Sequence, residues 1–208
     1  MKVIVAVFVS ALLCVAVYLG WGSYKASQEI DFALKNVKTV AAQLAITTEM
    51  RKSDTVTFAE YFKSSSTALD EIDKVKLSLR TYDFSRRARA RDVALEFATA
   101  AQEVIRLEAA HARSRMRLSS AKQSEDSAEK ERESTANEYT KKYAYERAQK
   151  LRDEQIEILD EMLAGLKTLP IKHERVITAD REVKDLFGVD EGLNQELISA
   201  FTLEEKNK

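Results

Sequence analysis

Glycine and proline are nearly missing from this chain. Its 208 residues hold five glycines and one proline, where an average chain carries roughly 12% of the two together. None lies between Gly22 and Gly165. Compact β and α/β folds use these residues at hairpins and phosphate-binding turns, so an all-α fold is expected. Cysteine is equally scarce. Cys14 stands alone, which excludes a disulfide framework, a CxxC pair and a thiolate metal cluster. Neither sign of charge prevails, with 33 Lys and Arg against 34 Asp and Glu, so the overall balance does not point to nucleic acid. The GxSxG, HExxH, phosphate-loop and Gly-rich dinucleotide signatures are also missing. With only two histidines, a non-enzymatic protein without a cofactor is expected.

One long apolar run is present. Val3 to Leu19 carries no charge and only Ser10 is polar; with Gly20 and Trp21 it reaches the span of a bilayer core. Tyr18, Trp21 and Tyr24 cluster at its C-terminal end, where amphipathic rings settle at a membrane interface. Residues 1–24 therefore read as an uncleaved signal anchor, with a cleaved signal peptide as the competing reading. A short basic start followed directly by an apolar run places the N-terminus in the cytoplasm and the bulk across the membrane. Asn-x-Ser/Thr sequons are missing, which favours a bacterial inner-membrane protein facing the periplasm.

The remainder reads as helix. Ile30, Leu34, Val37, Ala41 and Leu44 recur at spacings of four and three, a coiled-coil-like seam. Ser53, Asp54 and Thr55 form a capping turn, and a second helix is expected over 56–79. Residues 81–85 form the next turn, with Ser85 as N-cap. From Arg86 the pattern runs almost unbroken to Leu169. A seam through Ala94, Ala98, Ala101, Ile105, Ala112 and Met116 is followed by another through Leu151, Ile158, Leu159, Met162, Leu166 and Leu169. One unbroken helix there would extend about 126 Å. A coiled-coil-like helical hairpin, tip near 119–135 and fold-back near Ser124–Ser127, buries both stripes. Its register would set Leu107 against 147–148 and Met116 near Tyr139. Pro170 is expected to end that helix. The domain plan is thus an anchor at 1–24, an antiparallel bundle with a hairpin spike at 25–170, and two short amphipathic helices with a frayed tail at 171–208. Within that tail, Gly188 suits a left-handed helix end and Asp190 a cap.

Four constellations stand out. Glu108 and His111 form one Glu-x-x-His pair on a helix, but His173 has no Glu three residues earlier, so the paired motif of di-iron bundles is missing. A solvated or salt-bridged pair is expected, not a metal ligand set. Arg86, Arg87, Arg89 and Arg91 open the third helix, where positive charge opposes the macrodipole. They read as partners of Asp70, Glu71, Asp73 or the acidic C-terminal segment, as a contact for anionic lipid or polymer, or as a site for a small anionic ligand. Tyr139 and Tyr143 share a helical face; they read either as packed against Met116 and the Arg113–Arg117 face or, with Arg113 and Arg117, as a candidate partner contact. Tyr18, Trp21 and Tyr24 are the membrane-interface candidates. Together these features predict a membrane-anchored periplasmic scaffold that binds or spaces envelope proteins, or assembles with copies of itself. A sensory or ligand-binding four-helix bundle working with a signalling partner is the first alternative. An extended envelope-spanning tether is the second.

Overall fold

Four helices account for nearly all of the described backbone: α1 (Lys2–Lys52), α2 (Phe58–Thr81), α3 (Ala88–Ser134) and α4 (Glu138–Phe187). The computed structural model describes residues 2–189, 193, 197–199 and 201, with the backbone alone for 2–20. Among the described residues there is no strand and no helix long and apolar enough to cross a membrane. The run from Val3 to Leu19, on which the anchor expectation rests, lies outside the residues whose side chains are described, as does Tyr18.

The helices alternate in direction. α2 returns along α1, with Ser78 Oγ donating to Asn36 Oδ1 at 3.1 Å. α3 runs back beside both, and Gln102 links it to α2 through Asp73 and Lys76 at 2.7 and 2.8 Å. α4 then descends along α3. Their shared core holds Val37 and Leu44 from α1, Ile72 and Leu79 from α2, Phe97 and Ile105 from α3, and Val176 and Val183 from α4. Leu193, Leu197 and Phe201 join it, as the C-terminal pattern predicts; Asp190 lies outside the described residues. Gly188 takes the left-handed conformation at the end of α4 (φ 64°, ψ 35°).

Turn chemistry departs from expectation at both ends of the first hairpin. α2 is capped by Thr57, not by 53–55: its hydroxyl accepts from the Glu60 N–H while Glu60 Oε2 accepts from the Thr57 N–H at 2.9 Å, a capping box. The buried stripe of α1 passes through Glu29, Ala33, Val37, Val40 and Leu44, one position away from Ile30 and Leu34. A charged residue therefore lies in the seam.

The long helical segment folds back as a hairpin, but its turn lies at 135–137, not at Ser124–Ser127. Asn137 caps α4 by accepting from the Tyr139 and Thr140 N–H groups, while Ser, Glu and Asp at 124–127 remain helical. The register shifts accordingly. Arg117 meets Glu161 at 3.0 Å, Arg152 meets Glu125 at 2.5 Å, and Leu107 lies beside Gly165, not 147–148. Charge explains the choice. The Arg-rich part of α3 around 113–117 lies along the acidic stretch 153–161 of α4, and the acidic 125–133 lies along the basic 141–152.

Pro170 does not end the helix; it lies inside α4, which continues to Phe187. The expected separate helix over 173–187 is the last part of that same element. An interior proline costs about 3 kcal/mol, but α4 is held to α3 on both sides of it. Leu169, His173, Val176 and Ala179 are buried, and Lys172 and Arg175 pair with Glu103 at 2.9 and 2.7 Å. Pro170→Ala is therefore expected to restore one backbone N–H donor without moving α4. Its stability should rise by about 1–3 kcal/mol, read as a higher thermal midpoint. A lower midpoint would mean that the ring's packing outweighs its backbone penalty.

Candidate functional site

The first cluster of interest is where α1 enters the bundle. The loop joining α2 to α3 rests on α1 near residues 22–32. Lys25 pairs with Asp83 at 2.7 Å, and Phe32 stacks on Tyr82 with ring centroids 4.0 Å apart. Ser85 is not the N-cap of α3. Arg87 takes that place with no side-chain cap. The cap comes instead from α1: the fully buried Glu29 accepts the N–H groups of Arg86 at 3.0 Å and Arg87 at 2.6 Å. A carboxylate at a helix N-terminus offsets the macrodipole, so it answers the electrostatic objection to a basic first turn.

Glu29 leaves the arginines on the outside. Arg86 and Arg87 are exposed, Arg89 reaches Glu182 at 3.3 Å, and Arg91 holds the adjacent Asp92 at 2.8 Å. Of the acidic partners expected for them, the C-terminal segment contributes Glu182. Glu71 pairs with Lys74 and Asp73 with Gln102. Trp21 and Tyr24 lie at the same end of the bundle, 67% and 58% exposed, with ring centroids 6.4 Å apart.

The second cluster is buried where all four helices approach one another. Glu108 of α3 is 2% exposed, so it is not a solvated residue. Its Oε1 lies 3.5 Å from Arg51 Nε of α1 and 3.5 Å from His173 Nε2 of α4. Among the described residues, neither Glu108 oxygen accepts a hydrogen bond of standard geometry. Thr48, Tyr61 and Ser65 add three buried hydroxyls from α1 and α2. Burial, aided by the Glu108 charge, pushes the Tyr61 phenol up to about 12, so it remains a neutral donor. His173 also stacks on Phe201, with centroids 4.2 Å apart. Beside the cluster opens a cavity of about 430 Å³ lined by the end of α1, the 53–57 turn, the start of α2 and one face of α3. His111 lines it with Glu108. Among the described residues no group of three or more His, Cys, Asp or Glu is arranged to hold a metal ion.

The third region is the hairpin beyond the α1–α2 turn, a two-helix spike extending roughly 30 Å at 1.5 Å per residue. Its seam is thin, with Ala121, Ala128, Ala144 and Ala148 buried. Glu125 is held below the usual carboxylate range by hydrogen bonds from Gln155 and Arg152, and Arg152 also reaches Glu129. The structure does not pack Tyr139 and Tyr143 against Met116 and the Arg113–Arg117 face. Tyr139 and Tyr143 are exposed near the tip, well beyond Met116, whose level on α4 is set by the adjacent Arg117–Glu161 pair. Arg113 lies over the Phe62 ring at 5.6 Å, while Arg117 is tied to Glu161. The hairpin register separates these residues because the turn comes about ten positions later than the fold-back expected at 124–127. Farther down, Ile156, Leu159 and Leu163 form an exposed apolar stripe on α4.

No known protein family, curated protein or solved structure matches this chain. The residues that sequence reasoning overlooked are Glu29, Arg51, Tyr61 and His173. For Glu29, and for the burial of Glu108, a signal exists: Glu29 lies four residues before Ala33 in the α1 seam, and Glu108 fills the gap between Ile105 and Ala112 in the α3 seam. A charge at a seam position calls for a partner from a neighbouring helix.

Proposed function

We infer that this protein is a membrane-tethered, non-enzymatic helical scaffold of the bacterial inner membrane, with its bundle and spike in the periplasm. One observation carries this reading. The exposed Trp21–Tyr24 pair and the arginine turn Arg86–Arg91 lie at the same end of the bundle, where α1 leads back toward the apolar run. Aromatic rings and arginines at the end of an apolar helix are what a headgroup region accepts. The hairpin then projects away from that end. Its exposed stripe of Ile156, Leu159 and Leu163 offers a surface to other envelope components or a second copy. Residues 88–187 fold back on themselves, so a tether requiring one unbroken helix over 86–169 loses its premise. The cavity beside Glu108 favours a second reading, in which the bundle also binds a small molecule.

The chain's single tryptophan tests the membrane reading directly. In vesicles containing the full chain, Trp21 emission should be quenched by lipids brominated near the headgroup. Reversing Arg86, Arg87, Arg89 and Arg91 to Glu should remove the preference for anionic lipid, each arginine contributing on the order of 1 kcal/mol. An unquenched Trp21 would sink the membrane reading, and an unchanged lipid preference would remove the arginines from it. Crosslinking in native membranes then identifies what the spike touches.

A further inference from the structure

The cavity beside Glu108 has an uneven lining. At its inner wall the fold leaves the Glu108 carboxylate buried and without a hydrogen bond of standard geometry among the described residues, with the buried Tyr61 phenol, a neighbour of the Ser65 hydroxyl, beside it. Arg51 Nε and His173 Nε2 each lie 3.5 Å from Oε1 of Glu108. Burying a carboxylate oxygen away from water without a donor is unfavourable, and a charged donor placed there makes the strongest kind of hydrogen bond. At the mouth the charge is reversed. Lys52 and Arg115 are exposed on the lining, opposed by Asp54 alone. Met50, Val56 and Phe58 supply an apolar wall. A volume of about 430 Å³ falls within the usual range for small-molecule pockets.

We propose that this cavity binds a small zwitterion of the free amino-acid class, its ammonium group on Glu108 and its carboxylate toward Lys52 and Arg115. The apolar wall receives the ligand's side chain. Arg51 also lines the cavity but is engaged by Glu108 at 3.5 Å, so the orientation is set by the buried acid and the exposed bases: reversed, the ligand would place its ammonium against two cations at the mouth. Tyr61, kept neutral by its raised pKa, donates or accepts at the ammonium end without adding charge. This proposal rests on the ligand-binding reading of the bundle and is independent of the membrane reading.

The test is thermal-shift and calorimetric titration of the full chain in detergent micelles. The probes are a panel of free amino acids, the primary amines lacking their carboxylate, and the carboxylic acids lacking their amine. At least one amino acid should bind, with both truncated series at least about tenfold weaker. Glu108→Gln should weaken that binding by about tenfold or more. Because Glu108 also pairs with Arg51, Lys52→Ala with Arg115→Ala provides a check at exposed positions: affinity should fall by a similar factor while the ligand-free midpoint stays put. An amine or an acid that binds as well as the amino acid overturns the zwitterion but leaves a ligand pocket. Binding by no member of the panel overturns both. Amino-acid binding that neither set of substitutions weakens places the site elsewhere and overturns the assignment.

Discussion

Arg51→Met is expected to destabilise the protein by about 3–5 kcal/mol, the penalty for removing one partner of a buried ion pair. Domains of this kind have only about 5–15 kcal/mol in total, so this is a large fraction of the whole. The size follows from Glu108. Its side chain is 1% exposed and its Oε1 is 3.5 Å from Arg51 Nε, so removing the guanidinium leaves a carboxylate that water does not reach. His173 Nε2 is at a similar 3.5 Å, but an imidazole compensates only in its protonated form. Arg51→Met/Glu108→Gln is expected to be more stable than Arg51→Met alone, because the uncompensated charge disappears with the acid. Urea unfolding of the full chain in micelles measures all three variants. If the double substitution costs the sum of Arg51→Met and Glu108→Gln to within about 0.5 kcal/mol, the pair is not coupled.

The same pair shows which parts of the fold were legible in the sequence. Glycine and proline scarcity, with seams at spacings of three and four, led to an all-helical bundle with a folded-back hairpin, and the described residues have that form. Gly188 ends α4 as its position suggested. Those features are local: one residue type or one periodicity is enough to see them. What failed was set by tertiary contacts. Pro170 is a helix breaker on propensity, yet the flanking residues of α4 are buried on α3 and carry the helix through it. Ser85 is a good N-cap by type, but a carboxylate 56 residues earlier takes that role. The turn at 135–137 lay past a Ser- and Asp-containing stretch that reads as a loop by composition. The opposed charge blocks on α3 and α4 were present in the sequence, and would have fixed the register had they been weighed against the serines.

The candidate site was less legible still. Glu108 and His111 were visible as an i, i+3 pair, and that spacing reads first as a surface feature. Their true surroundings come from other helices: Arg51 from α1, Tyr61 from α2 and His173 from α4. No local pattern relates those positions. The seam did hold a hint, since Glu108 interrupts an otherwise apolar row facing the core. A buried charge needs partners, and the only questions were which helix supplied them and at what height.

Glu29→Ala is expected to cost about 3 kcal/mol and to disturb the end of the bundle that carries Arg86–Arg91 as well. The fully buried carboxylate accepts from the backbone of Arg86 at 3.0 Å and Arg87 at 2.6 Å, with the Ser85 hydroxyl at 3.4 Å. Hydrogen bonds to a charged group are worth about 1.5–3 kcal/mol each and do not add fully. The charge also offsets the positive end of α3, which Arg87 cannot do for itself because it has no capping side chain. Glu29→Gln keeps one acceptor oxygen and loses the charge, so about half of the effect should remain. The second consequence separates a cap from mere packing. Without Glu29 the first turn of α3 loses its fixed place beside α1, and the arginines it carries lose theirs. The anionic-lipid preference of the full chain should therefore weaken even though every arginine is still present. A Glu29→Ala protein with wild-type stability would show that the cap is redundant. One with lowered stability but unchanged lipid preference would show that the arginines need no fixed turn to meet the membrane.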